Sequence, residues 1–355
     1  AELAARFRSS DYFVPSAVVA PMARGAPAEL LGIRRQPMLT QLATLTRRYL
    51  RVVCADRSYL RLLVVFPILL GIVPRSIPAP DGLGALPVAP NLNATKVLVV
   101  LVLCACFMGM ANSVREIVKE RHIYRRERTI GLSPAAYLGS KVIVLTCVTT
   151  VQAVVFTFIS LLGRGPSDAV LLRSPVAECL VAVIVAALGS MLVGLLVSTL
   201  VDTTDKAMPL LVLLTVAQLV LCGGLVSVCG RPFMEQISWI APARWGYAGL
   251  AATNDMNEVA KLGSEILHTD PTDPLWTHSS VVWLRAVAFG VALWAATLAL
   301  TLVMLRRLDP PIPAGGVRPG AAPPPGSSDS AGWPPGGRRF WPWSSGRGPR
   351  VRWRL

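Results

Sequence analysis

The sequence is short of charge and shorter still of acid. Only 15% of its 355 residues are charged, against about 25% in typical soluble domains. Asp and Glu together number 20, while 53% of the residues are hydrophobic. This balance excludes an ordinary soluble domain and a mostly disordered chain. The three histidines, His122, His268 and His278, are scattered and show no metal-ligand spacing. No GxxxxGK[ST] segment occurs, so these residues offer no phosphate loop for ATP. No GxSxG elbow occurs either. The long apolar runs hold no Asp, Glu, Lys or Arg in their interiors, where proton- and ion-coupled carriers keep relay groups. That lack counts against a secondary transporter and favours an external energy source. No catalytic set, metal set, bound cofactor or nucleic-acid partner is expected of this chain. Lysine is scarce too, 5 against 30 arginines, a bias of GC-rich coding. The first residue is Ala1, not Met, which leaves a fragment or a processed product open.

What is present is apolar length. Uncharged runs of 18, 22, 23, 24 and 20 residues lie at 97–114, 142–163, 179–201, 207–230 and 286–305. A bilayer core takes about 20 residues of helix. These runs predict five spans, the last extended to 284–305. A weaker sixth, near 60–76, contains Pro67, and Arg61 can snorkel to lengthen it. An interfacial helix is the alternative there. The fold class expected is an all-α polytopic membrane protein with six transmembrane helices. Six spans put both termini on one side. With the termini inside, the inner segments carry 27 of the Lys and Arg residues and the outer segments eight. The positive-inside rule therefore makes both termini cytoplasmic in a multi-pass plasma-membrane protein. Most of the seven cysteines lie in apolar runs and read as small buried hydrophobes.

The flanking segments divide the chain. Residues 1–38 read as a Pro-containing cytoplasmic linker. Residues 39–58 read as an amphipathic helix, with Leu42, Leu45, Tyr49, Val52 and Val53 recurring among Arg47, Arg48, Arg51 and Arg57. It lies against headgroups, packs on protein, or does both. Residues 309–355 form a Pro/Gly/Ser-rich tail ending in arginines and tryptophans. That tail is expected to be disordered, with a membrane-surface or polyanion-binding role as the sharper alternative.

Two internal segments carry more information. Ser113–Lys141 is densely charged, with Glu116, Lys119 and Glu120 at helical spacings. Gly131 breaks that helix, and Ser133-Pro134 can start the next one. The 54-residue segment Arg231–Leu284 holds Trp239, Trp245, Trp276 and Trp283. Within it Phe233–Ala252 is apolar but too short to span, and reads as a re-entrant or interfacial helix pair broken at Pro242. The few polar residues inside spans, among them Asn112, Gln152, Thr215 and Gln218, serve either helix–helix hydrogen bonds or a substrate path.

This arrangement resembles the membrane domain of type II ABC exporters, the G (White) subfamily. The stretch Glu116–Glu127 followed by Gly131–Tyr137 is similar to that family's connecting helix and coupling segment. Cys222–Leu225 with Ile237–Tyr247 is similar to the end of its fifth span and its re-entrant helices. With span order, the resemblance covers about Leu39–Leu308. The stretch Thr44–Asp56 further resembles bacterial members in which FHA modules and the ATPase precede the permease. Here only the linker precedes the first helix, so the ATPase belongs to a longer chain or to a separate subunit.

The resemblance implies a dimer of two permease copies in membrane lipid, with ABC ATPase domains docked below, where ATP and Mg would bind. It implies coupling through Glu116, Glu120, Arg126, Glu127, Gly131, Ser133 and Pro134. Spans two and five would line a mostly apolar cavity, making Phe107, Met110, Asn112, Leu214, Thr215 and Gln218 path candidates for an amphipathic or lipid-like substrate moved outward. The other readings are a membrane enzyme acting on lipid-linked substrates, with Asp255, Glu258, Glu265, His268, Asp270 and Asp273 as its poorly matched candidates, and a non-transporting scaffold.

Overall fold

The computed structural model describes residues 36–80, 82–84, 91–164, 168–259 and 273–308. Most of the linker and the whole basic tail lie outside the described residues. Ten α-helices are followed below: α1 (Met38–Ala55), α2 (Arg57–Ser76), α3 (Leu92–Ser113), α4 (Arg121–Thr129), α5 (Pro134–Leu161), α6 (Pro175–Leu200), α7 (Thr204–Leu221), α8 (Met234–Ser238), α9 (Pro242–Thr253) and α10 (Ser280–Arg307). There is no strand among the described residues. Six helices, α2, α3, α5, α6, α7 and α10, are long and apolar enough to cross a membrane. The all-α polytopic architecture is therefore as the runs indicate.

The six spans are not equivalent. In α3 and α6, 78% and 72% of the most apolar stretch is buried, against 22% in α2, 22% in α7 and 11% in α10. So α3 and α6 form the core and the others wrap it. Their contact is close because the residues between them are small. A Cβ added at Gly109 of α3 would lie 2.0 Å from the Ala187 carbonyl oxygen of α6. The Ser113 hydroxyl donates across the same crossing to the Met191 carbonyl at 2.7 Å.

Pro67 does not interrupt the first span. Proline lacks an N–H, which leaves the carbonyl four residues earlier without its helical donor. That carbonyl belongs to Leu63, and the Gln152 side chain of α5 donates to it at 2.9 Å. In an apolar medium such a replacement is required. Asp56 starts the helix by accepting from the N–H groups of Ser58 and Tyr59. Arg164 closes it, donating to the Pro74 and Arg75 carbonyls.

Several helix boundaries differ from the expected runs; the helix of span two, for example, begins at Leu92, not near residue 97. Span three begins at Pro134, not near residue 142, so Lys141 lies two turns inside the helix and not at its edge. Span four begins at Pro175, which places Glu178 within it. Both residues lie in the opening turns of their helices, and each charge is paired or hydrogen-bonded inside the protein. Span five ends at Leu221 instead of continuing to 230, because Gly223 takes φ +90°, a conformation that leaves the helix. The apolar segment before span six is a short α8 followed by α9, every residue of which is buried. The break at Pro242 falls where expected.

Candidate functional site

The connection between α3 and α5 lies at the arginine-rich end of the bundle. The chain leaves α3 through a turn whose Ile117 and Val118 N–H groups donate to the Ser198 hydroxyl of α6. A 3₁₀ turn at Val118–Glu120 leads into α4. Gly131, at φ +105°, then reverses the chain, and Pro134 opens α5. The Ser133 side chain makes no cap; its N–H instead donates to Gln41 of α1 at 2.9 Å.

These turns gather a charged cluster under α1. Lys141 is 2% exposed and donates to Glu116 at 3.2 Å and to Glu120 at 2.8 Å. Glu116 also accepts from Lys119 and, at 2.5 Å, from the Tyr49 hydroxyl of α1. The Lys141 ammonium lies 3.6 Å from the Tyr49 ring centroid, a cation–π contact. Tyr137 donates to Glu120 at 3.3 Å, and its ring packs on Tyr124. Burial, and then the negative charge of Glu116, push the Tyr49 phenol well above the ordinary tyrosine value. At the rim, Arg48 of α1 holds Glu127 of α4 with two bonds, 2.6 and 3.3 Å.

The expected coupling residues thus separate. Glu116 and Glu120 are in the cluster, Glu127 is in the rim bridge, and Gly131 and Pro134 shape the turn. Arg126 is exposed on α4 and does not pair with Glu127. Residue-by-residue reading missed Arg48, Tyr49 and Lys141. Their signal was weak but present: Tyr49 lies on the apolar stripe of α1, and Lys141 is the one cation between Pro134 and Arg164.

The path candidates also divide. Phe107, Met110 and Leu214 join one apolar cluster between α3, α6 and α7. Thr215 and Gln218 share a face of α7 that is buried; Gln218 accepts from Ser190 of α6 at 2.9 Å, and its amide nitrogen has no partner. Asn112 turns the other way. It donates to Thr149 at 3.1 Å and to Gln152 at 2.6 Å of α5, the same Gln152 that serves Leu63. For Asn112 the helix–helix alternative describes its contacts.

Residues 40–253 match the family model described as ABC-2 type transporter, over more than half of the chain. The chain belongs to the ABC-2 type transporter membrane family. It is 39% identical over 272 residues to the ABC transporter ATP-binding/permease protein Rv1747 of Mycobacterium tuberculosis. That match covers 75% of this chain and 31% of the relative, so the chain spans about a third of the relative's length. The resemblance to a type II ABC permease domain therefore stands.

The other end of this ABC-2 membrane domain is rich in tryptophan and has its own buried charges. Arg244 of α9 pairs with Asp273 at 2.5 Å, their side chains 2% and 5% exposed. Asn257 bonds the backbone of Asp273 on both sides, and the Asp273 carboxylate also accepts from the Leu275 N–H. Glu178, at the head of α6, accepts from the N–H groups of Val170, Leu171 and Leu172 and from the Thr253 hydroxyl. Of the residues weighed for a lipid-linked enzyme, Asp273 is held in the ion pair, and Glu265, His268 and Asp270 lie outside the described residues.

Proposed function

We propose that this domain is the permease of an ATP-driven exporter. It works as a pair with a second copy and moves an amphipathic or lipid-like molecule outward across the cell membrane. ATP and Mg bind to an ABC ATPase domain, in the same longer chain or beside it. The name of the Mycobacterium tuberculosis relative, an ATP-binding/permease protein, supports that partner. The positive-inside asymmetry supports cytoplasmic termini, which puts the arginine-rich end against the ATPase. The exposed apolar faces of α2 and α7, with Leu62, Leu69, Val212 and Val216, suit lipid chains and the second copy.

The carrying observation is that the turn leading into α4 (Glu116, Glu120), α1 (Tyr49) and the head of α5 (Lys141) share one buried cluster, with Tyr124 of α4 packed on Tyr137. A displacement of α4 by the ATPase pulls on the turn that carries Glu116 and Glu120, and through it on Lys141 and Tyr49. In this reading Glu116, Glu120 and Glu127 transmit force. Arg126 is left exposed to meet the ATPase, and Gly131, Ser133 and Pro134 set the docking turn. Phe107, Met110, Leu214, Thr215 and Gln218 border the path, with Asn112 holding span two to span three. The absence of charge along that border favours an apolar or amphipathic cargo.

The test uses the protein purified with its ATPase and held in lipid nanodiscs or proteoliposomes. Vanadate-sensitive ATP hydrolysis is expected, and Glu127→Ala should lose transport with assembly intact. Unchanged transport in Glu127→Ala would overturn the coupling role. No ATPase copurifying with an intact full-length product would overturn the exporter itself.

A further inference from the structure

The tryptophan-rich end contains a cavity that the coupling reading does not use. It measures about 270 Å³ and is lined by Glu235, Trp239, Arg244, Trp245, Arg285 and Phe289. One wall is aromatic. Trp245 and Phe289 stack with centroids 4.8 Å apart, and Trp239 meets both edge-on at 5.7 Å. Trp239 and Phe289 stay 48% and 41% exposed, so the wall opens outward.

The polar groups of this cavity are unbalanced. Its carboxylates are engaged: Asp273 by Arg244 and the Leu275 N–H, and Glu235 by the Gly230 N–H at 3.1 Å. Its donors are not. The Nε–H of Arg244 is buried and has no partner. Arg285 is exposed and makes no ion pair among the described residues. A buried guanidinium N–H without an acceptor is costly. One unpaired cation, Arg285, beside an apolar ring wall suits a ligand that brings anionic oxygens and an apolar body together.

We propose that this cavity binds the phosphate headgroup of an anionic amphiphile. Arg285 takes the phosphate oxygens, and the chains leave along Trp239 and Phe289. The site is separate from coupling, because binding needs neither ATP nor movement of α4. Failure here therefore leaves the exporter reading intact, and the reverse also holds.

The experiment is a binding titration of the purified full-length protein without ATP, followed by native mass spectrometry. Three probes are compared: dioctanoyl phosphatidic acid, dioctanoylglycerol and glycerol 3-phosphate. Phosphatidic acid should bind tighter than the diacylglycerol. Arg285→Gln, at an exposed position that folding does not depend on, should narrow that gap about tenfold, the effect of one charge-assisted hydrogen bond. Trp239→Ala should weaken both chain-bearing probes. A gap that persists in Arg285→Gln, or no preference for the phosphate, would overturn the proposal. Glycerol 3-phosphate binding as tightly as phosphatidic acid would also overturn it, since the site would then recognise a free phosphate.

Discussion

At the tryptophan-rich end one guanidinium, Arg244, meets one carboxylate, Asp273. At the arginine-rich end one ammonium, Lys141, lies between two carboxylates, and one of these, Glu116, holds a second ammonium and a phenol as well. Both arrangements are buried, yet they suit different tasks. A single pair between neighbouring elements has one low-energy arrangement and acts as a lock. A cluster with several partners redistributes its bonds when one element moves, so its cost of rearrangement is lower. The lock pairs α9 with the segment after it, and the cluster ties the turn leading into α4 to α1 and α5.

The largest expected effect tests the lock. Arg244→Met leaves Asp273 buried with only neutral donors, and breaking a buried pair in this way costs about 3–5 kcal/mol. Thermal unfolding followed by fluorescence-detected size exclusion should show it, and adding Asp273→Asn should recover a large part. Lys141→Met should cost less, about 2–3 kcal/mol, since Glu116 retains Lys119 and Tyr49. Equal losses in the two variants would erase the distinction between the ends.

Tyr49→Phe ranks next, at about 1–2 kcal/mol for a hydrogen bond to a charged group. Its pH dependence follows from the raised phenol. The folded state prefers the protonated form, so that contribution is complete below the unfolded tyrosine value of about 10. As pH rises above this the unfolded chain ionises first, and the contribution is lost. The difference between wild type and Tyr49→Phe should be flat through neutral pH and shrink only in strong alkali. A difference that changes between pH 6 and 8 would place another titrating group in the cluster.

The spans were legible because length and lack of charge are one-dimensional properties. The run ends before Arg115, Arg164, Asp202 and Arg306 fall within two residues of the helix ends, whereas several starts marked by a charge do not. Lys141 and Glu178 look like membrane edges in the sequence, but helices α5 and α6 extend beyond them, since their partners come from elsewhere in the chain. Span five fails in the opposite direction. Residues 222–230 carry no charge to mark an end; Cys222–Leu225 resembles the end of the family's fifth span, and the backbone at Gly223 is where the helix stops. The candidate site was half visible. Glu116 and Glu120 stand out by spacing, but Tyr49 is separated from Glu116 by 67 positions and Arg48 from Glu127 by 79. No local pattern carries such a pairing, and it appears only when α1 folds back on α5.

The smallest effect on stability separates the cluster from its rim. Arg48 and Glu127 are 49% and 24% exposed, so their bridge is worth at most about 1 kcal/mol, and less in salt. Arg48→Glu and Glu127→Arg should therefore unfold within about 1 kcal/mol of wild type. If the bridge ties α1 to α4 during transport, each single reversal puts like charges together and should lose transport, while the double reversal restores it. If Glu127 instead faces the ATPase in the working complex, Glu127→Arg should lose transport, Arg48→Glu should not, and the double reversal should remain inactive. Measuring transport and unfolding on the same four proteins decides whether the rim belongs to the cluster or to the ATPase contact.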